Sequence, residues 1–242
     1  MIDLHSHIIP GIDDGAGSWE EAIAMCRMAW EDGTKTLAAT PHVFNGVYQS
    51  EGALVTGQIA ILEEKLEVEG IGLTLVQGAE VYSVPDLPLI LHEEPKFTFN
   101  EGKRYFLLEF PHTTVPPHAD QLIFQLQICH FVPIIAHPER NLYFQRNPES
   151  LERLLDQGAF SQVTAMSFTG GFGERARECA YELLRRNMVH AVASDAHNMK
   201  SRPPLLSQAR KAVREYAGEK KAQELFELFP QMVLSGEPSC FG

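Results

Sequence analysis

The sequence predicts a single-domain α/β fold over residues 1–242, a parallel sheet closed or nearly closed into a barrel with its helices outside. Three observations carry this. Short apolar runs alternate with amphipathic stretches along the chain, the order of strand–helix–strand units. Seven such runs occur without a linker-like shift of composition, a low-complexity tract or an internal repeat. No Gly-x-Gly-x-x-Gly turn marks an open dinucleotide-binding sheet.

The elements follow in order. Ile2–His7 reads as a strand, and Ser18 with Glu21 forms a capping-box start for a helix to about Asp32, stopped by Gly33. Thr36–Thr40 is the second strand and ends at Pro41-His42. A helix from about Glu51 to Glu69 stops at Gly70, and Leu73–Val76 then delivers Gly78-Ala79-Glu80. Tyr105–Leu108 delivers Glu109, with a helix from about Pro117 to Cys129 behind it. Val132–Ala136 delivers His137-Pro138-Glu139-Arg140. Asn147 as cap and Pro148 at the first helical position open the next helix, which Gly158 closes. Ser161–Met166 is a weaker sixth strand. A helix from about Glu174 to Asn187 leads to Val189–Ala193, which delivers Asp195-Ala196-His197. Helices over roughly Pro204–Tyr216 and Glu219–Phe229 complete the chain.

Six of the seven strands thus end in a His, Asp or Glu. In a parallel barrel the C-terminal strand ends converge on one mouth, so His5, His7, Asp14, His42, Glu80, Glu109, His137, Asp195 and His197 are expected to meet as metal ligands. His5 and His7, two apart on an extended strand, share a face. Nine ligands exceed the needs of one tetrahedral ion, which implies a polynuclear site. Imidazole and oxygen donors without thiolate suit Mn²⁺, Fe or Zn²⁺. Such ions acidify a bound water and clamp a phosphoryl group. Arg140 directly follows a ligand turn and its planar fork suits a phosphate oxygen, with Arg202 as a second candidate. Asp13 is an alternative ligand to Asp14 or the holder of its own turn. Asp3 is a residue that orients a ligand or a buried strand start. His92, His130 and His190 lie off the pattern and read as structural. His112 and His118 fall in a Pro-rich loop that reads as solvated rather than as substrate-lining.

Composition excludes several classes. The formal charge of −12, from 32 acidic and 20 basic residues, is wrong for a protein that wraps nucleic acid. Three divalent ions would halve it. No apolar run approaches a membrane span, and the N-terminus lacks the layout of a signal peptide, so a cytoplasmic location is expected. Cys26, Cys129, Cys179 and Cys240 are scattered without a Cys-x-x-Cys pair, which suits a reducing compartment. Cys179 and Arg185 match the Cys-x₅-R spacing of cysteine-dependent phosphatases, but the intervening residues contain no glycine and read as helix, so no phosphate-cradling loop forms there.

His5-Ser6-His7 with Asp14, Pro41-His42, Gly78-Ala79-Glu80, Glu109-Phe110-Pro111, Ala136-His137-Pro138-Glu139-Arg140 and Ser194-Asp195-Ala196-His197 resemble the polymerase-and-histidinol-phosphatase (PHP) superfamily. The fuller strings His7 to Gly15, Asn45-Gly46-Val47-Tyr48, His137–Asn141 and Thr169-Gly170-Gly171-Phe172-Gly173 look like the manganese-dependent protein-tyrosine phosphatases of bacterial capsule and exopolysaccharide operons. The resemblance spans nearly the whole chain. It implies a distorted (β/α)7 TIM-like barrel with three divalent ions, Mn²⁺ foremost. One ion would be held by His5, His7, Glu80 and Asp195, a second by Glu80, Glu109 and His137, and a third by Asp14, His42 and His197. The implied catalytic set is Asp14, Arg140 and Arg202, with both arginines on the phosphate. The implied substrate is the tyrosine-phosphorylated C-terminal tail of a bacterial tyrosine autokinase, without nucleic-acid or membrane partners and with room for a homo-oligomer. Two other readings compete: a small-molecule monoester phosphatase such as one for histidinol phosphate, and a non-catalytic metal-binding regulator.

Overall fold

The computed structural model describes residues 1–238 except for 45, 49 and 103, so Asn45 and Cys240 lie outside the described residues. The chain runs β1 (Ile2–Asp3), α1 (Trp19–Glu31), β2 (Thr36–Ala39), β3 (His42–Val43), α2 (Gly52–Val68), β4 (Thr74–Gln77), β5 (Glu80–Tyr82) and α3 (Leu87–Glu93). It continues through β6 (Tyr105–Glu109), α4 (Ala119–Ile128), β7 (Val132–Ala136), α5 (Leu142–Arg146), α6 (Pro148–Asp156), β8 (Phe160–Thr164), α7 (Ala165–Phe168) and α8 (Glu174–Arg185). Last come β9 (Ala191–Ala193), α9 (Ser207–Ala217), α10 (Glu219–Gln223) and α11 (Phe229–Ser235).

All described strand pairings are parallel, in two sheets ordered β1-β2-β4 and β3-β5-β6-β7-β8-β9. β2 and β3 are two halves of one stave, interrupted at Thr40-Pro41, where proline has no N–H to give to a ladder. β4 and β5 likewise break at Gly78-Ala79. Backbone bonds from Gly78 N to Ala39 O (3.0 Å) and Glu80 N to Pro41 O (3.1 Å) carry the pairing past both interruptions. The nine segments therefore make seven staves, in the distorted α/β barrel arrangement the sequence predicts. The last stave lies against the first: Asp195 N donates to His5 O and His7 N to Ala196 O, each at 2.8 Å, with a bridge between Ser6 and Ala196.

Strand alternation divides the core. Leu107, Ile134, Ala191 and Phe160 pack inward with Leu4, Ala38 and the α11 residues Phe229 and Met232, which close the floor. Phe106, Leu108, Ile135 and Val192 face the helices and meet Leu122, Ile123, Leu126 and Leu183. Strands buried on both faces, such as β6 and β7, read as continuous apolar runs for this reason.

Several boundaries differ from the sequence expectation. The first strand ends at Asp3, because the His5–His7 segment bends into the mouth with only the Ser6 bridge. The third stave continues past Val76 as β4 and resumes as β5, so Glu80 itself lies on a strand. The sixth strand stops at Thr164, where Ala165–Phe168 turns helical around the buried carboxylate of Glu139. That carboxylate accepts from Thr164 N (3.0 Å) and Ser167 Oγ (2.7 Å). The short helices α3 and α5 were not anticipated, and the final helix runs on through a π turn to Ser235. Asn147 precedes α6 but does not cap it, since its amide donates to Tyr143 O; the capping asparagine is Asn141, which accepts from Tyr143 N and Phe144 N. Ser18 caps α1 through Glu21 N, while the Glu21 carboxylate reaches back to Gly17 N rather than to Ser18 N.

Candidate metal centre

All nine predicted ligands come together at the C-terminal mouth. His5 Nε2 lies 3.2 Å from His7 Nε2, 3.3 Å from Glu80 Oε2 and 3.4 Å from Asp195 Oδ1. His42 Nδ1 is 2.9 Å from Glu80 Oε2 and 3.6 Å from Glu109 Oε2, and His137 Nε2 is 2.7 Å from Glu80 Oε1. Asp14 Oδ1 stands 3.4 Å from both His42 Nε2 and His197 Nε2. Three overlapping groups are compact enough to hold an ion: His7, Asp14, His42 and His197; His5, His7 and Glu80; and His42, Glu80 and Glu109. These groups differ in detail from the partition the resemblance implies. Asp195 and His137 stand at the edge of the groups, and His7 and His42 are each shared between two.

Local backbone geometry aims these side chains. His137 and Asp195 end their strands in the left-handed region, at φ +37° and +53°, a conformation costing non-glycine residues about 1 kcal/mol or more and typical of functional sites. Gly15 makes the close approach that sets the Asp13-Asp14 turn, for a Cβ there would fall 2.0 Å from His7 O. With the turn so placed, Asp13 is not in the ligand position. Its Oδ2 accepts from His7 Nδ1 (2.7 Å) and His42 N (3.1 Å), which orients His7 and leaves Asp14 to face His42 and His197. Gln162 does the same for His5, with Oε1 2.8 Å from its Nδ1. Asp3 accepts from Ser194 N and the backbone N–H of His5, so it ties the first stave to the last and touches no ligand side chain.

Charge at the mouth is out of balance. Burial would drive protons off His5 and His7, yet Glu80 and Asp195 raise the first and Asp13 raises the second well above the usual imidazole range. Burial, with Glu80 beside it, pushes the Glu109 carboxyl up to about 8. Glu80 and Asp195 stay low against their burial because His5 and its neighbours surround them, with Arg140 and Arg202 also on Asp195. Burial and Arg140 bring His137 down to about 4, so its ring is neutral. Carboxylates crowded until one takes up a proton are a site short of positive charge.

The donors fit divalent cations. His42 Nδ1, Glu80 Oε2, Asp195 Oδ1 and His197 Nε2 are buried and make no hydrogen bond, although their neighbours stand within 3.6 Å. Buried polar atoms without partners are rare and call for an ion or another explanation. All are imidazole nitrogens or carboxylate oxygens, with no thiol in any group.

Arg140 and Arg202 both reach the site and both hydrogen-bond Asp195 Oδ2. Among the other candidates, His112 sits exposed at the rim with its ring 6.1 Å from that of His137. His118, His92 and His130 are exposed and take no part in the cluster. Cys179 lies in α8 with its thiol pushed up to about 12 by burial, so the Cys-x₅-R match is coincidental. Sequence reasoning missed Gln162 and the part played by Glu139. A polar residue in an otherwise buried strand was the available signal for the first.

A family model described as "Capsular polysaccharide synthesis, CpsB/CapC" matches residues 1–235. The chain is 42% identical to the tyrosine-protein phosphatase YwqE of Bacillus subtilis over 84% of its own length and 79% of that protein. It is 31% identical to the tyrosine-protein phosphatase CpsB of Streptococcus pneumoniae, over 97% and 98% of the two chains. A solved chain from the crystal structures of YwqE and CpsB, unique metal-dependent tyrosine phosphatases, superposes with a TM-score of 0.93 at 37% identity, covering 98% of this chain and 96% of that one.

Proposed function

The chain belongs to the CpsB/CapC family of capsular polysaccharide synthesis, and from that premise we propose that it is a metal-dependent protein-tyrosine phosphatase. The observation that carries the reading is the mouth: seven imidazole and carboxylate side chains in compact groups with Asp195 and His137 against them, four buried donor atoms lacking hydrogen bonds, and two arginines beside.

His5, His7, Asp14, His42, Glu80, Glu109, His137, Asp195 and His197 are the proposed ligands of three divalent ions, Mn²⁺ first among the candidates. When bound, such ions supply the Lewis acidity that makes water nucleophilic near neutrality and draw charge from the phosphoryl oxygens. The protein's own groups do the rest. Arg140 and Arg202 offer planar forks to the phosphate oxygens, exchanging a contact with Asp195 for one with substrate. Asp14, the most exposed ligand, faces the cavity where the phosphoryl group enters. A phenolate whose conjugate acid has a pKa of about 10 leaves with less proton assistance than a serine alkoxide. No cysteine nucleophile is needed.

The proposed substrate is the phosphotyrosine tail of a bacterial tyrosine autokinase that controls capsule or exopolysaccharide synthesis, met in the cytoplasm by a single catalytic domain spanning 1–242. No described helix is long and apolar enough to cross a membrane. The reading is tested by following hydrolysis of a phosphotyrosine peptide and of histidinol phosphate, before and after chelation and Mn²⁺ return, alongside elemental analysis. Peptide turnover that vanishes with chelator and returns with metal is expected. Preference for histidinol phosphate, or turnover indifferent to chelator, overturns the assignment.

A further inference from the structure

We propose that Phe172 is a positioning residue that holds the guanidinium groups of Arg140 and Arg202 in the plane from which they grip phosphate. The proposal rests on the phosphatase reading above and adds to it a residue outside the ligand set. Phe172 lies in the Gly170-Gly171-Phe172-Gly173 turn between α7 and α8. Its ring centroid is 4.3 Å from the Arg140 Cζ and 6.0 Å from that of Arg202. It is half-buried and belongs to none of the described core clusters, so packing of the barrel does not account for an aromatic at this place.

The turn's backbone is specified around this one side chain. Gly170 and Gly173 each sit at φ +86°, where a side chain is strained. A Cβ on Gly171 would fall 2.5 Å from the Met166 Cε. The loop is further pinned by Gly171 N to Met166 O (2.8 Å) and Gly173 N to Gly170 O (3.0 Å). Three glycines thus fold a short loop whose visible product is an aromatic face set against a guanidinium.

The physical consequence is orientation. An arginine side chain has several rotatable bonds, and ordering it costs entropy at each binding event. A ring face attracts the cation and keeps the guanidinium flat against it, which leaves the N–H edges to point at Asp195 and at the cavity. Arg140 and Arg202 meet on the same carboxylate oxygen, so one ring serves both. Without it the two cations would still be present, but each would have to be ordered by the phosphate itself.

The test measures binding of inorganic orthophosphate to Mn²⁺-loaded protein by calorimetry, with bound metal quantified in each variant. Phe172→Ala is expected to weaken orthophosphate binding about tenfold, equivalent to about 1.4 kcal/mol, with metal content unchanged. Phe172→Tyr, which keeps the ring face, is expected to bind within twofold of the parent, and Phe172→Leu, which fills the space without a π face, to behave like the alanine variant. Matching kinetics on a phosphotyrosine peptide should show the loss in KM. Unchanged orthophosphate binding in Phe172→Ala, full retention in Phe172→Leu, or loss of metal from Phe172→Ala overturns the proposal. Orthophosphate binding needs no turnover. A parent protein inactive on phosphotyrosine would therefore sink the phosphatase reading and still leave this measurement decisive.

Discussion

The two ends of the barrel bury histidines in opposite circumstances. At the floor, His190 precedes β9, packs against Phe160 and Phe229, and accepts from Ser161 N at 3.2 Å. Burial, with Lys221 nearby, brings it down to about 4. At the mouth His7 is fully buried, yet Asp13 overrides that burial and its pKa is raised well above the imidazole range. Burial with a cation nearby makes a neutral imidazole of His190, as burial and Arg140 do of His137 at the mouth, whereas the carboxylate of Asp13 keeps positive charge on His7. A buried histidine is therefore informative only together with the acids that face it.

Removing a donor from the mouth tests this contrast with the largest effect. His137→Ala is expected to lower turnover by about a thousandfold or more and to reduce bound metal; full activity with full metal content would erase the distinction between the ends. Arg140→Ala should separate binding of substrate from binding of ions. A fall of roughly a hundredfold to a thousandfold in turnover with unchanged elemental analysis is expected, and loss of metal would make Arg140 part of the scaffold.

The floor histidine sharpens the comparison from the other side. Its native pKa of about 4 lies below the unfolded value near 6.5. The unfolded chain therefore takes up a proton that the fold refuses, and stability falls as pH drops from about 6.5 toward 4. Urea unfolding at pH 7 and pH 4.5 should show this loss reduced by about 2 kcal/mol in His190→Gln relative to the parent. An equal pH dependence in both would mean that His190 is not held neutral. The smallest effect is expected from Cys179→Ser, whose turnover on phosphotyrosine peptide should stay within twofold of the parent; a collapse would revive the thiol.

Most of the candidate ligands were legible because they end an apolar run, and in a parallel barrel that position has one destination. The breaks inside the second and third staves were not legible, since periodicity records which face a residue takes and not where a ladder is interrupted at Pro41 or Gly78. β8 read weakly because Ser161, Gln162 and Thr164 are buried polar residues. Ser161 Oγ bonds Met188 O, and Gln162 holds His5. Asp13 and Asp14 are adjacent and chemically alike, and their separate tasks follow from a turn geometry that only the approach of Gly15 to His7 makes visible. The aromatic beside the arginines stood out only as part of the Thr169–Gly173 string that carries the resemblance, which says nothing of its place over Arg140.

The bonds joining His5 to Asp195 and His7 to Ala196 tie the candidate centre to closure of the barrel. Donors at positions 5–14 and at 195–197 reach one another only once that junction closes, so the candidate centre is complete only when the first and last staves are joined. Cations that favour the joined state over the parted one draw the equilibrium toward it by mass action. Chelation should accordingly speed amide exchange along His5–His7 and Asp195–His197 before it disturbs β6 and β7, making the centre a latch between the first and last staves.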